Sequence, residues 1–92
     1  MKPNRLFKCT ESPFPAVDAV LNYGFAVISD TTSFADPFGK RVIAALEPYD
    51  DVHPHMDYVA DYYVVVDHAR FLPSERNGRL AEAIKALTSS HE

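Results

Sequence analysis

The chain has 92 residues, of which 47% are hydrophobic and 24% charged, and its formal net charge is −4 at pH 7. This composition predicts one globular domain, residues 1–92, and no apolar run approaches the ~20 residues needed to span a bilayer. An acidic chain is poorly suited to direct nucleic-acid binding, because that binding depends on lysines and arginines that neutralise phosphates.

The first third of the chain predicts a strand, a helix and a second strand. Residues 5–10 have the character of a short strand. Ser12 followed by Pro13 is typical of a helix start, and Gly24 is typical of its end, because glycine adopts the left-handed conformation without penalty. The short apolar segment 25–29 predicts a buried strand.

The segment that follows has two interpretations. An Asp-Pro-x-Gly sequence that begins at Asp36 fits a type I turn leading into a strand over 40–47. Alternatively, the same Asp-Pro pair opens a helix over 37–47. Two adjacent alanines favour the helix, whereas Gly39 and a Val-Ile pair favour the strand. We prefer the strand and keep the helix as the alternative.

The last third predicts a long strand and a helix. Residues 57–68 alternate in character, so we expect one strand with a buried face and an acidic face. A C-terminal helix begins near Pro73. Its inward stripe consists of Leu80, Ala83, Ile84 and Leu87.

These elements together predict an α+β fold. In the order β-α-β-β-β-α, two helices pack on one face of a small, mostly antiparallel sheet of three or four strands. In the alternative order, β-α-β-α-β-α, residues 37–47 are helical.

The negative charge is concentrated in the middle of the chain. No Lys or Arg occurs from Val42 to Ala69, whereas six of the 13 acidic residues do. A block of one sign attracts basic partners, and tyrosines within it add contact area. We expect the carboxylates to point outward together from one pleated strand. The predicted partner-binding residues are Tyr49, Asp50, Asp51, Asp57, Asp61, Tyr63 and Asp67.

A second pattern in the same stretch suggests metal binding. If residues 51–57 are extended, alternate side chains share one face, and Pro54 biases the residue before it toward that conformation. His53, His55 and Asp57 would then offer two imidazoles and a carboxylate, a donor set that suits zinc. In this alternative the chain is a small metal-binding protein or enzyme.

Other catalytic patterns are not indicated. Three glycines are too few for a glycine-rich phosphate loop. Cys9 in a predicted strand is more typical of a small core residue than of a nucleophile. We therefore expect a non-enzymatic binding module or inhibitor of a basic protein, of the accessory kind that phages and mobile elements encode.

Location and assembly follow from a few further features. A single cysteine excludes an internal disulfide, and the basic N-terminus lacks the apolar segment of a signal peptide, so we expect a cytoplasmic protein. Val59, Tyr63 and Val65 fall on the solvent side of the predicted long strand. Exposed apolar residues on one face indicate a homodimer through that sheet face.

Overall fold

The computed structural model describes residues 5–29, 33–76 and 78–89. Four strands and four helices occur within these ranges. In chain order they are β1 (Leu6–Phe7), α1 (Phe14–Tyr23), β2 (Phe25–Ile28), α2 (Ala35–Ala45), β3 (Pro54–Val59), β4 (Tyr62–Asp67), α3 (Pro73–Arg76) and α4 (Arg79–Ser89). The protein has a small α+β fold, as the sequence predicts.

The strands form one mixed sheet in the order β1-β2-β4-β3. β1 pairs with β2 in parallel, whereas β4 pairs antiparallel with both β2 and β3. The predicted small, mostly antiparallel sheet is therefore confirmed. Among the described residues, β3 has a strand neighbour on its β4 side alone, which makes it an edge strand.

Helices cover both faces of this sheet, not one face as predicted. Ala26 and Val65 project into the core that α1 and α2 form. Val27 and Val64 project into a second core, which α4 covers. Every residue of β2 is buried. A strand that is apolar on both sides needs cover on both sides, so a third layer is required.

The same cover removes the open sheet face on which the predicted homodimer depended. Val59 is 7% exposed and Val65 is 0% exposed. Tyr63 is half-buried and packs against the core beneath α1 and α2. A surface for self-association would therefore have to lie elsewhere than on the sheet face.

The preferred prediction of a strand over 40–47 is wrong, and the alternative prediction of a helix in this segment is confirmed by α2. Phe38, Val42 and Leu46 are each 0% exposed. Helical spacing places the three on one side of α2, which packs against β3 and β4. The buried stripe therefore outweighs the strand preference of the Val-Ile pair.

Gly39 also lies on the buried side of α2. A Cβ atom added at this position would overlap the end of the Met56 side chain and lie 2.8 Å from its sulfur. The glycine therefore permits a close approach of α2 to β3. By its local preference Gly39 favours a turn and a strand. Its presence in a helix is explained by the packing of that helix against the sheet.

β3 and β4 form a hairpin where the sequence predicts one strand over 57–68. Ala60 and Asp61 have φ angles of 51° and 70°. Two successive residues in the left-handed region are typical of a two-residue type I′ turn, and Val59 pairs with Tyr62 across it. Such turns usually contain Asn-Gly or Asp-Gly. The Ala-Asp pair lacks this turn signal, so the alternation of residue types in the sequence continues through the turn and predicts one strand.

The C-terminal helical segment begins at Pro73, as predicted, and consists of α3 followed by α4. Leu80 and Ile84 are 0% exposed, and Ala83 and Leu87 pack against the same cluster, which confirms the predicted stripe. Within the described ranges, no helix combines the length and the apolar character that crossing a membrane requires.

The ends of α1 lie close to the predicted positions. Ser12 Oγ accepts a hydrogen bond from the Phe14 N–H at 3.4 Å. Gly24 has a φ of 89° and donates its N–H to the Val20 carbonyl. A Cβ atom at Gly24 would lie 2.7 Å from the Phe71 ring. The position therefore requires glycine for both conformation and space.

The Gly24→Ala variant should lower the free energy of unfolding by roughly 1–2 kcal/mol, the cost of a left-handed residue with a Cβ atom. Gly24→Asn should also lose stability, because asparagine adopts this conformation more readily but brings the same Cβ atom against the Phe71 ring. Urea denaturation monitored by circular dichroism measures both. A Gly24→Ala variant as stable as the wild type would contradict the assigned constraint.

An ion pair closes the turn that follows β1. Arg5 donates to both carboxylate oxygens of Glu11, at 2.7 and 3.0 Å, and the Lys8 N–H donates to one of them at 2.9 Å. The hydrogen bonds from Arg5, and next the one from Lys8, lower the pKa of Glu11 from its ordinary value of 4.5 to about 2. The ionised form of Glu11 therefore stabilises the fold.

This stabilisation is present above pH 4.5 and is lost as the pH falls toward about 2, because the carboxyl group then binds its proton in the folded state as well. Glu11→Gln should be less stable than the wild type at pH 7, and the difference should shrink through this window. Thermal unfolding at a series of pH values tests this. A difference that does not change with pH would contradict the pairing.

Candidate functional site at the edge strand

The edge strand β3 leaves one row of its backbone groups facing outward. His68 donates its N–H to the His53 carbonyl at 2.9 Å, and the same register continues along β3. In an antiparallel pair, hydrogen-bonded residue pairs alternate with non-bonded pairs. Every second residue from His53 therefore bonds to β4. The backbone groups of Pro54, Met56 and Tyr58 point away from the sheet.

Pro54 fits this arrangement, because proline is tolerated in an edge strand where its missing N–H would face outward. The outward row then consists of three carbonyl groups and of the N–H groups of Met56 and Tyr58. The Met56 side chain is half-buried beneath α2, whereas Tyr58 is 59% exposed. The row is thus anchored by packing at its centre and is accessible at Tyr58.

A shallow cleft of about 270 Å³ lies beside the second half of β3. Its lining residues are Asp57, Tyr58, Val59, Pro73 and Arg76. The side chains of Asp57 and Arg76 are 26% and 21% exposed. The cleft therefore combines a polar interior with the open backbone of the edge strand.

Asp57 is held by two neighbouring side chains. His68 Nε2 lies 2.8 Å from Asp57 Oδ2, and Arg76 Nε lies 3.7 Å from the same oxygen. The His55 ring stacks on the His68 ring, with their centroids 4.2 Å apart and an interplanar angle of 15°. Arg76 also donates to the Phe71 carbonyl at 3.0 Å. This network fastens α3 to the edge strand.

A carboxylate that orients an imidazole is also an arrangement used in proton transfer, provided that the imidazole reaches the reacting molecule. The residues that line the cleft include neither His55 nor His68. The pair therefore faces the cleft through the Asp57 carboxylate and not through an imidazole.

Asp67 has a structural role at the opposite end of the hairpin. Its side chain is buried, with 2% of the residue exposed. Oδ1 accepts hydrogen bonds from the His53 N–H at 3.0 Å and the Ala69 N–H at 2.9 Å. A buried carboxylate with two backbone donors joins the segment before β3 to the turn after β4. Asp67 therefore does not contribute to a binding surface.

The predicted row of outward carboxylates is consequently not formed. The turn at residues 60–61 places Asp57 and Asp67 in different strands of the hairpin. The register then directs their side chains to opposite faces of the sheet. Asp57 is bound by Arg76 of α3, and Asp67 is buried. The prediction of a continuous acidic strand is therefore wrong. The acidic groups that remain exposed precede and follow β3.

Those exposed groups include part of the predicted partner-binding set. Tyr58, which is not in the predicted set, joins them, and its ring packs edge-on against the half-buried Tyr63 at a centroid distance of 5.0 Å. We call the exposed set the edge surface. It consists of Tyr49, Asp50, Asp51, Tyr58 and Asp61.

The predicted metal ligands do not converge. The described residues contain no group of three or more His, Cys, Asp or Glu side chains placed to hold a metal ion. Asp57 and His55 both turn toward His68, one by a hydrogen bond and the other by stacking. His53 lies before β3 and stands outside that network. The structure therefore does not bring His53, His55 and Asp57 together as a zinc site.

No local sequence pattern predicts the roles of His68 and Arg76. Asp57 and His68 are 11 residues apart and meet because the chain turns back at the hairpin. Arg76 reaches Asp57 because α3 packs beside β3. Both contacts depend on tertiary structure.

Comparison of the chain with protein-family models, with curated proteins and with solved structures finds no match.

The structural role of Asp67 predicts an asymmetric pair of variants. Asp67→Ala leaves two backbone N–H groups without their acceptor and should lower the free energy of unfolding by about 2–4 kcal/mol. Asp67→Asn keeps an oxygen acceptor of the same shape and should lose less. Chemical denaturation measures both. Equal losses in the two variants would show that the hydrogen bonds to Oδ1 are not the cause.

Proposed function

We propose that the protein is a non-enzymatic binding module or inhibitor that binds a basic protein through the edge surface. The observation that carries the proposal is the exposure of two tyrosines beside carboxylates, in a stretch that holds no Lys or Arg. Tyr49 is 44% exposed and Tyr58 is 59% exposed. Exposed aromatic residues are frequent anchors of protein interfaces.

The charges near the edge surface support a basic partner. Arg76 is bound to Asp57, Lys40 lies 3.1 Å from Asp36, and Arg41 reaches the Cys9 carbonyl. Within the described part of the chain, no ion pair joins a Lys or Arg to the carboxylates of the edge surface. Lys85 lines one shallow cleft together with Asp61, so Asp50 and Asp51 provide the part of the field that is most available to a partner.

Such a surface would associate rapidly with a basic protein by electrostatic steering. Where the partner itself binds nucleic acid, the carboxylates would compete with phosphates for the same basic site, which is the action of an inhibitor. The proposal places this action in the cytoplasm, in keeping with a chain whose single cysteine excludes an internal disulfide.

A fluorescently labelled decapeptide of alternating lysine and valine provides a direct probe. The triple variant Asp50→Asn, Asp51→Asn, Asp61→Asn should bind it on the order of tenfold more weakly, because each exposed charge pair is worth about 0.5 kcal/mol and three pairs about 1.5 kcal/mol. Fluorescence anisotropy gives the dissociation constants. Binding by the wild type should also weaken as salt is raised, since exposed charges are screened.

A matched control removes the same amount of charge from other surfaces. Asp18, Asp36 and Glu82 are exposed residues of α1, α2 and α4. The corresponding Asn, Asn and Gln triple variant should bind the probe almost as the wild type does. Equal weakening by the two triple variants would indicate attraction by net charge alone and would overturn a localised site.

A further inference from the structure

We propose that the basic partner binds as an extended segment that adds to β3 as a fifth strand of the sheet. This inference rests on the proposed function and specifies how the partner is held. Side chains of the edge surface would supply the attraction, whereas the outward backbone groups of β3 would supply alignment. Addition of a strand to a sheet edge is a recurrent mode of peptide recognition.

The backbone of β3 provides the hydrogen-bonding template. The carbonyls of Pro54, Met56 and Tyr58 and the N–H groups of Met56 and Tyr58 face away from β4. An extended segment of about five residues would meet all of them, at the spacing of a regular ladder. β3 has six residues, so the template is long enough to hold such a segment. At the opposite edge, β1 has two residues within the described part of the chain.

The exposed side chains along this edge suit a basic segment. On the α2 side, the exposed Tyr58 ring offers a face on which a lysine or arginine can lie. On the α3 side, the cleft of about 270 Å³ is polar, and its Asp57 carboxylate is already held by Arg76 and His68. Asp61 lies just after β3, and Asp50 and Asp51 lie before it. A segment along the edge would thus have carboxylates at both ends.

A second copy of this chain fits the same edge less well. Antiparallel pairing of two β3 strands would place Asp61 of one copy near Asp50 and Asp51 of the other. Like charges brought together at an interface disfavour association. The occupant that the charges favour is therefore a basic segment of a different protein.

Two variants of one residue separate backbone recognition from side-chain recognition. Tyr58→Pro removes both the ring and an outward N–H, whereas Tyr58→Val removes the ring and keeps the N–H. Proline is acceptable at an outward-facing position of an edge strand, as Pro54 in the same strand illustrates. Strand addition predicts that Tyr58→Pro binds the alternating lysine–valine decapeptide about five- to tenfold more weakly than Tyr58→Val.

Amide hydrogen exchange of the wild-type protein gives a test that needs no variant. With saturating decapeptide, the Met56 and Tyr58 amides should exchange at least about tenfold more slowly, because they acquire partners. The amides of His55, Asp57 and Val59 already face β4 and should change little. This alternation along β3 is specific to an added strand.

The outcomes distinguish the two proposals. If the decapeptide does not bind at all, the proposed function fails. If it binds with the expected dependence on salt and on the carboxylates, but Tyr58→Pro matches Tyr58→Val and no alternate protection develops, only strand addition is overturned. A protein that sediments as a dimer, with Met56 and Tyr58 amides protected in the absence of peptide, would assign the edge to a second copy.

Discussion

The left-handed turn at Ala60 and Asp61 is the constraint on which the site depends. With φ angles of 51° and 70°, these two residues reverse the chain and fix the register of β3 against β4. That register decides which backbone groups of β3 bond to β4 and which face outward. Non-glycine residues in this region cost roughly 1–2 kcal/mol each, so the strand pairs and the two cores beside the turn have to offset that cost.

The three-layer arrangement covers both sheet faces and leaves the outer edge of β3 open. α1 and α2 cover one face of the sheet and α4 covers the other, so neither face is open to a partner. Gly39 allows α2 to approach β3 closely, and the network around Asp57 fastens α3 beside the same strand. The edge strand is therefore supported from both sides while its outer backbone stays accessible. A template held in this way would lose little conformational entropy when a partner strand binds.

The acidic residues of the middle stretch have distinct roles although they look alike in the sequence. Asp67 accepts backbone hydrogen bonds in the interior, and Asp57 holds His68 and Arg76. The carboxylates of the edge surface remain exposed to solvent. Two of the six acidic charges thus serve the fold itself. Counting charges along a chain overestimates a recognition surface, because hydrogen-bonding partners in the fold can bind some of the carboxylates.

The sequence by itself determined the elements whose signals are local. Gly24 marks the end of α1, the apolar run after it marks β2, and the stripe of α4 follows from helical spacing, so the α+β class could be predicted. Tertiary structure alone decided the conformation of α2, where Gly39 leaves space for the Met56 side chain. It also decided the chain reversal at the Ala-Asp turn. It also decided which carboxylates are buried. The physical reason is the same in each case: the deciding contact comes from a residue distant in the chain, and a local pattern contains no information about it.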